Sequence, residues 1–154
     1  MIGLIIAVIL LNTVAFMTVK RLTKNQIVHM WMFTVVFQLF VDLYLGSRYN
    51  AYWYFDSSEI EWSDLPVRTF LTPPVILLFL NRFPFHASFF KRFLYLILWS
   101  IGCTIYEALA LLPEPWGYFH YGWWKLAYSA PCYPILLVVV LAFYKWICRL
   151  EKAI

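Results

Sequence analysis

Long apolar runs separated by short polar clusters set the pattern of this chain. Four runs have the length of a membrane-spanning helix: residues 2–19, 27–45, 93–112 and 131–147. A hydrocarbon core of about 30 Å needs about 20 largely apolar residues in a helix. A fifth run, 65–83, is less regular because it contains Arg68 and the pair Pro73-Pro74. The pattern predicts a single domain, residues 1–154, built as an all-α bundle of five transmembrane helices.

Basic residues indicate the direction of these spans. Nine of the twelve Lys and Arg residues fall after the first span, between the third and fourth, or at the end of the chain: Lys20, Arg21, Lys24, Arg82, Lys91, Arg92, Lys145, Arg149 and Lys152. Only Arg48, Arg68 and Lys125 fall on the other side. Since Lys and Arg are retained on the cytoplasmic side, we expect the amino terminus outside and the carboxyl terminus inside. Run 65–83 counts as a span because, without it, Lys91 and Arg92 would fall on the same side as the acidic connection.

Composition agrees with a bilayer as the solvent. The chain is 64% hydrophobic and 13% charged, with a mean hydropathy of +0.73, whereas soluble domains are about 45–50% apolar and about 25% charged. The net charge of +4 is therefore interpreted as a topology signal and not as a sign of nucleic-acid binding. We expect the lipid bilayer as the main partner, and the apolar outer faces can also meet a second copy or another membrane protein.

The sequence contains no motif of a known chemistry. G-x-S-x-G, the P-loop, H-E-x-x-H and the glycine-rich dinucleotide turn do not occur in it. The three cysteines have no metal-ligand spacing and are interpreted as small apolar fillers. No two histidines have ligand spacing either. We therefore expect no metal site and no cofactor.

Two carboxylates interrupt the predicted spans at similar depth. Asp42 and Glu107 each lie about 15 residues from the inner start of their span, which is about 21–22 Å along a helix. On a helix, Glu107 shares its face with Ser100, Cys103 and Thr104. The opposite face carries Leu98, Ile101, Ile105, Leu109 and Leu112. Because small faces pack against other helices and apolar faces meet lipid, Glu107 is predicted to face the bundle.

The two acids are predicted to meet at one site near the outer end of the bundle. Gln38 lies one turn before Asp42 on the same helix face, and Arg68 lies near the same level in the third span. Arg68 can pair with either acid, which gives a structural Arg68–Asp42–Glu107 cluster that fixes helix packing. The alternative is a functional cation, proton or ligand site, because intramembrane carboxylates commonly mark such sites. Both interpretations remain open from the sequence.

Aromatic residues dominate the two outer connections, residues 48–66 and 113–130. The rings are typical of a belt at the headgroup level. A ligand-binding aromatic cup is the alternative interpretation, with Tyr49, Trp53 and Trp123 as candidate contacts. The first connection also carries the acids Asp56, Glu59, Glu61 and Asp64.

Short segments spread over nearly the whole chain carry a resemblance to one family. They are Asn12, Lys20-Arg21-Leu22-Thr23, Phe37–Asp42, Tyr49–Phe55, Leu80-Asn81, Glu107 and YSAPCYP at 128–134. In these segments the chain resembles a family of small, functionally uncharacterised multi-span membrane proteins from Bacillus-type, spore-forming bacteria. The resemblance implies a multi-pass protein of a bacterial plasma membrane and brings no activity with it.

Two classes of function follow from these observations. The first, which we favour, is a non-enzymatic membrane protein: a partner subunit, or a small carrier or sensor with an outward-facing polar and aromatic site. The alternative is an intramembrane enzyme that acts on a lipid or isoprenoid with a carboxylic acid as proton donor. The position of Arg68 separates the two classes, because an acid held in an ion pair does not serve as a proton donor.

Overall fold

A computed structural model describes residues 2–55 and 62–153, so Asp56, Glu59 and Glu61 lie outside the described residues. Of the described residues, 77% are helical. Its five α-helices are α1 (Ile2–Thr18), α2 (Lys24–Val41), α3 (Thr72–Arg82), α4 (Phe89–Ala110) and α5 (Leu126–Ala153). Three helices are long and apolar enough to cross a membrane: α2 with its extension to Arg48, α4 and α5. The apolar α1 is shorter, with 17 residues.

Consecutive helices alternate in direction, as contacts at the two ends of the bundle show. At one end the Asn81 side chain, near the end of α3, donates to the Thr18 carbonyl at 3.1 Å and accepts from the backbone N–H groups of Lys20 and Arg21. At the other end the Gly3 N–H, at the start of α1, donates to a carbonyl after α4. We call the first the basic end, because the nine clustered Lys and Arg residues lie there.

A capping box begins α2 at the basic end, as its Thr23–Gln26 spacing indicates. The Thr23 hydroxyl accepts from the Gln26 N–H at 3.1 Å, and the Gln26 side chain accepts from the Thr23 N–H at 3.2 Å. Glu151, near the end of α5, accepts from the Thr23 hydroxyl and from the Asn25 amide, both at 2.9 Å. These contacts join the start of α2 to the end of α5.

Two helices carry a π-helical segment at the opposite end. The first, Asp42–Arg48, continues α2, and the second, Val67–Leu71, leads into α3. Pro73 and Pro74 lie in the first turn after the change from π- to α-helix. Proline is tolerated in the first turn of an α-helix because the N–H that it lacks has no partner there.

An antiparallel ribbon of two strands, β1 (Tyr52–Tyr54) and β2 (Phe119–Tyr121), joins the two aromatic connections. Tyr52 pairs with Tyr121, and Tyr54 pairs with Phe119. Directly after β2, a Cβ atom on Gly122 would lie 2.2 Å from the Asn50 carbonyl oxygen, so only glycine allows this approach. We call this end of the molecule the ribbon end. The helical bundle agrees with the prediction, whereas the ribbon is an addition that the sequence pattern did not predict.

The faces of α4 are oriented as the sequence predicts. Glu107 and Ser100 are buried, whereas the branched apolar side chains of the opposite face are exposed: Leu98, Ile101, Ile105, Leu109 and Leu112. The larger core cluster lies between α2, α3, α4 and α5 around Met30, Phe79 and Leu80. A smaller cluster, around residues such as Val67 and Tyr118, lies near the ribbon end.

Candidate functional site

The first buried acid, Asp42, is paired with a cation. Arg68 donates from Nη1 to Oδ2 of Asp42 at 3.0 Å and from Nη2 to Oδ2 of Asp64 at 3.2 Å. Asp42 is 1% exposed and Arg68 is 4% exposed. The ion pair joins the π-helical extension of α2 to the π-helical segment before α3. We call Asp42, Arg68 and Asp64 the arginine cluster.

Two ribbon tyrosines and Gln38 complete the surroundings of Asp42. The Tyr52 hydroxyl donates to Oδ1 of Asp42 at 2.7 Å, and the Tyr54 hydroxyl lies 3.5 Å from both carboxylate oxygens. Gln38 donates to the carboxylate at 3.4 Å and to Tyr54 at 3.2 Å. The Arg68 guanidinium also lies over the Tyr54 ring, 5.2 Å from its centroid, in a cation–π contact. Asp42 is therefore met by one cation and several neutral donors.

The Tyr52 phenol acts here as a hydrogen-bond donor. Burial raises the pKa of Tyr52 above its usual value, and the neighbouring Asp42 carboxylate raises this pKa further. The neutral form of the phenol is the one that donates to a carboxylate. Tyr52 therefore supports Asp42 without adding a charge to the arginine cluster.

The second buried acid, Glu107, is surrounded by hydroxyl groups. Its Oε1 accepts from the Tyr121 hydroxyl at 2.5 Å and from the Ser129 hydroxyl at 2.6 Å, and its Oε2 accepts from the Tyr133 hydroxyl at 2.5 Å. Trp124 donates from its indole N–H to the Ser129 oxygen at 2.8 Å. Burial and the bond to Glu107 raise the pKa of Tyr121, so this phenol also remains neutral. We call Tyr121, Ser129 and Tyr133 the hydroxyl cage.

Glu107 has no ion-pair partner among residues 2–55 and 62–153. The predicted Arg68–Asp42–Glu107 cluster is therefore wrong in its third member, and the second acid beside Arg68 is Asp64. The physical reason is geometric. Both terminal nitrogens of Arg68 are used by Asp42 and Asp64, while Glu107 faces the first turns of α5.

The ribbon connects the two carboxylate sites without joining them into one. Tyr52 and Tyr121 are register partners, so their side chains lie on the same face of the ribbon. Tyr52 donates to Asp42, and Tyr121 donates to Glu107. Each strand therefore contributes one hydroxyl group to one acid.

The three aromatic candidates lie at the ribbon end but outside both carboxylate sites. Trp123 donates from its indole N–H to the Tyr49 carbonyl at 2.9 Å, and both side chains are exposed. The Trp53 ring stacks on His120 with centroids 6.3 Å apart. Within the described part of the chain, none of these three side chains forms a hydrogen bond with Asp42 or Glu107.

Sequence reasoning missed six residues that contact the acids or Arg68: Tyr52, Tyr54, Asp64, Tyr121, Ser129 and Tyr133. Spacing carried a signal for some of them. Asp64 and Arg68 are four residues apart with opposite charges, and Ser129 and Tyr133 are four residues apart in α5.

An apolar groove of about 300 Å³ lies between α4 and α5. Its walls include Ile101, Thr104 and Pro134, and Thr104 lies one helical turn before Glu107. Among the described residues there is no group of three His, Cys, Asp or Glu side chains that could hold a metal ion. No family model, curated protein or solved structure matches this chain. The sites are therefore interpreted from their own geometry.

Proposed function

We propose that this chain is a multi-pass protein of a bacterial plasma membrane, with five spans and its ribbon end outside. Three long apolar helices, the alternating direction of all five helices and the cluster of Lys and Arg at the basic end support this arrangement. In this orientation Glu107 lies toward the outer side of the bilayer. The exposed apolar faces of the helices meet lipid, a second copy of the chain or another membrane protein.

We further propose a non-enzymatic function, as a small carrier or sensor whose outward-facing polar and aromatic site is centred on Glu107. One observation carries this proposal. Glu107 is 7% exposed and accepts hydrogen bonds from three hydroxyl groups, yet no cation of the described residues pairs with it. A buried carboxylate is costly without a compensating positive charge. A proton or a cation from solution supplies that charge.

The arginine cluster has a structural role in this proposal. Arg68 already neutralises Asp42 and fixes α2 against the segment before α3. The space beside the Asp42 carboxylate is already taken by Arg68, two tyrosine hydroxyl groups and Gln38. The ion pair with Arg68 favours the charged form of Asp42, which weakens the enzyme alternative at this acid.

Trp124 provides the test, because its indole N–H donates to Ser129, which in turn donates to Glu107. We expect the fluorescence emission of Trp124 to change with the pH or with the concentration of a monovalent salt in protein held in lipid nanodiscs. The difference between the wild type and Trp124→Phe isolates this signal from the other tryptophans. Glu107→Gln should lose the response. Glu114→Gln, the same substitution at an exposed position of the same end, should keep it. An equal response in Glu107→Gln and wild type would contradict the proposal.

The groove between α4 and α5 favours a second candidate, an intramembrane enzyme with a lipid or isoprenoid substrate. The groove has a volume near the lower limit of ligand sites, which is about 300 Å³, and its wall comes within one turn of Glu107. In this case Glu107 is the proton donor. Incubation with phospholipid and isoprenoid substrates, followed by mass spectrometry, should then give a product that Glu107→Gln does not form. The absence of any product that depends on Glu107 would exclude it.

A further inference from the structure

We infer that the ligand of the Glu107 site is a monovalent inorganic cation of the sodium or potassium class. This inference rests on the proposed function, since it names what the outward-facing site binds. Four side chains supply the donors: Glu107 from α4, Tyr121 from β2, and Ser129 and Tyr133 from α5. They belong to three separate elements of the fold, so the donors surround the site from different directions.

The donor atoms are all oxygens. Three hydroxyl oxygens lie within 2.6 Å of the Glu107 carboxylate, each placed to donate a hydrogen bond to it. A hydroxyl group that donates keeps two lone pairs, of which Ser129 uses one to accept from Trp124. The remaining lone pairs can turn toward a cation beside the carboxylate. Carboxylate and hydroxyl oxygens are the hard ligands that hard cations prefer.

The charge of the site selects a monovalent ion. Glu107 contributes one negative charge, and the hydroxyl groups of the cage are neutral. The other acid–cation group of the ribbon end, the arginine cluster, holds its own positive charge in Arg68. Divalent ions are usually bound by several carboxylates, and Mg²⁺ loses its water reluctantly. One positive charge balances Glu107, whereas two would leave a buried excess.

A cation and a proton act differently on the cage. A proton on Glu107 makes one carboxyl oxygen a donor, so one hydroxyl group has to accept from it, whereas a cation leaves both carboxylate oxygens as acceptors. Tyr121 itself is only partly buried, and the residues that follow it, Gly122 and Trp123, are exposed.

The experiment measures the thermal midpoint of the protein in lipid nanodiscs in NaCl, KCl or LiCl, each exchanged against choline chloride at constant ionic strength. We expect at least one alkali ion to raise the midpoint by about 3 °C or more at ten times its half-saturating concentration. Choline should have no such effect. Glu107→Gln should lose the shift, and Glu114→Gln should keep it. Ser129→Ala keeps the charge and removes one oxygen, so it should raise the half-saturating concentration by about tenfold.

The possible results separate this inference from the proposed function. If no alkali ion gives a specific shift, but the Trp124 signal still depends on pH and on Glu107, the cation inference is overturned and a proton site remains. A larger shift with Mg²⁺ or Ca²⁺ than with every alkali ion also overturns it. If neither ions nor pH give a response that depends on Glu107, both proposals fail. If Glu107→Gln does not fold, the half-saturating concentration measured for Ser129→Ala decides. An unchanged half-saturating concentration in that variant overturns the inference.

Discussion

At the ribbon end the protein stabilises two buried carboxylates by different means. Asp42 pairs with Arg68, which also holds Asp64, and two ribbon tyrosines lie against the same carboxylate. Glu107 accepts only from neutral hydroxyl groups. The comparison teaches that burial alone does not identify a functional acid. The contact with a cation distinguishes the two acids, because Arg68 contacts Asp42, whereas no cation of the described residues contacts Glu107.

The helical backbone also differs between the sites of Asp42 and Glu107. Asp42 and Arg68 both lie in π-helical segments, which insert an extra residue per turn and redirect side chains. Glu107 lies in regular α-helix on α4. Two helices thus depart from α-helical geometry where the internal ion pair forms, whereas the hydroxyl cage assembles between regular helices and the ribbon.

The largest effect is expected from removing the cation of the arginine cluster. Arg68→Met removes the cation that pairs with the buried Asp42 carboxylate and also contacts Asp64. Breaking a buried ion pair in this way costs about 3–5 kcal/mol. We expect this loss in the free energy of unfolding, measured by denaturant titration in lipid–detergent micelles. Adding Asp42→Asn should recover part of the loss. A cost no larger than that of Glu107→Gln would show that the two acid sites do not differ as the comparison requires.

Much of the helical architecture, and part of the site, was accessible from the sequence. Apolar run lengths located the helices, and helix periodicity placed Glu107 on the buried face of α4. Matching depths along the spans predicted that Arg68 pairs with Asp42 or Glu107, and the structure shows that it pairs with Asp42. These features depend on local periodicity and on distance along one helix, which residue order contains directly.

The remaining features depend on contacts that residue order does not contain. Tyr52 and Tyr121 pair across two connections far apart in the chain, and no local period indicates such a pairing. Because aromatic residues are common at membrane interfaces, Tyr52 and Tyr54 were interpreted as belt residues, yet both are buried against Asp42. Arg68 contacts Asp64 where a contact with Glu107 was predicted, because Asp64 lies only four residues before Arg68 in the chain.

Substitutions of the ribbon tyrosines Tyr52 and Tyr121 should have intermediate effects on the free energy of unfolding. Tyr52→Phe removes a hydroxyl that donates to a buried, charged acceptor, and such bonds contribute about 1.5–3 kcal/mol. Tyr121→Phe should cost less, because Tyr121 is only partly buried whereas Tyr52 is 8% exposed. Denaturant titration of both variants and of the double variant gives the coupling energy between them. Equal costs for the two single variants would contradict the difference between the sites.

Gly122→Ala tests whether the ribbon holds both sites together. The added Cβ would lie 2.2 Å from the Asn50 carbonyl oxygen, so one strand has to move. Overpacking of this kind costs about 1–3 kcal/mol. Gly102→Ala is the control, because nothing lies within 4 Å of its Cβ position and it lies inside α4. There alanine should stabilise the protein by up to about 1 kcal/mol. The same sign for both variants in thermal unfolding would contradict this account of the ribbon.

The smallest loss of stability is expected for Glu107→Gln. No cation of the described residues loses a partner in this substitution, whereas a substitution of Asp42 removes one of the two carboxylates that contact Arg68. The amide oxygen of glutamine accepts from hydroxyl groups as the carboxylate does, and its N–H₂ group donates to the lone pairs of another hydroxyl. The cage can therefore reform around the neutral side chain, and we expect a change of about 1 kcal/mol or less in the free energy of unfolding. Glu114→Gln serves as the exposed reference. A loss of stability comparable to that of Arg68→Met would mean that the charge of Glu107 is compensated inside the protein. The distinction between the ion-paired Asp42 and a Glu107 without a cation would then not hold.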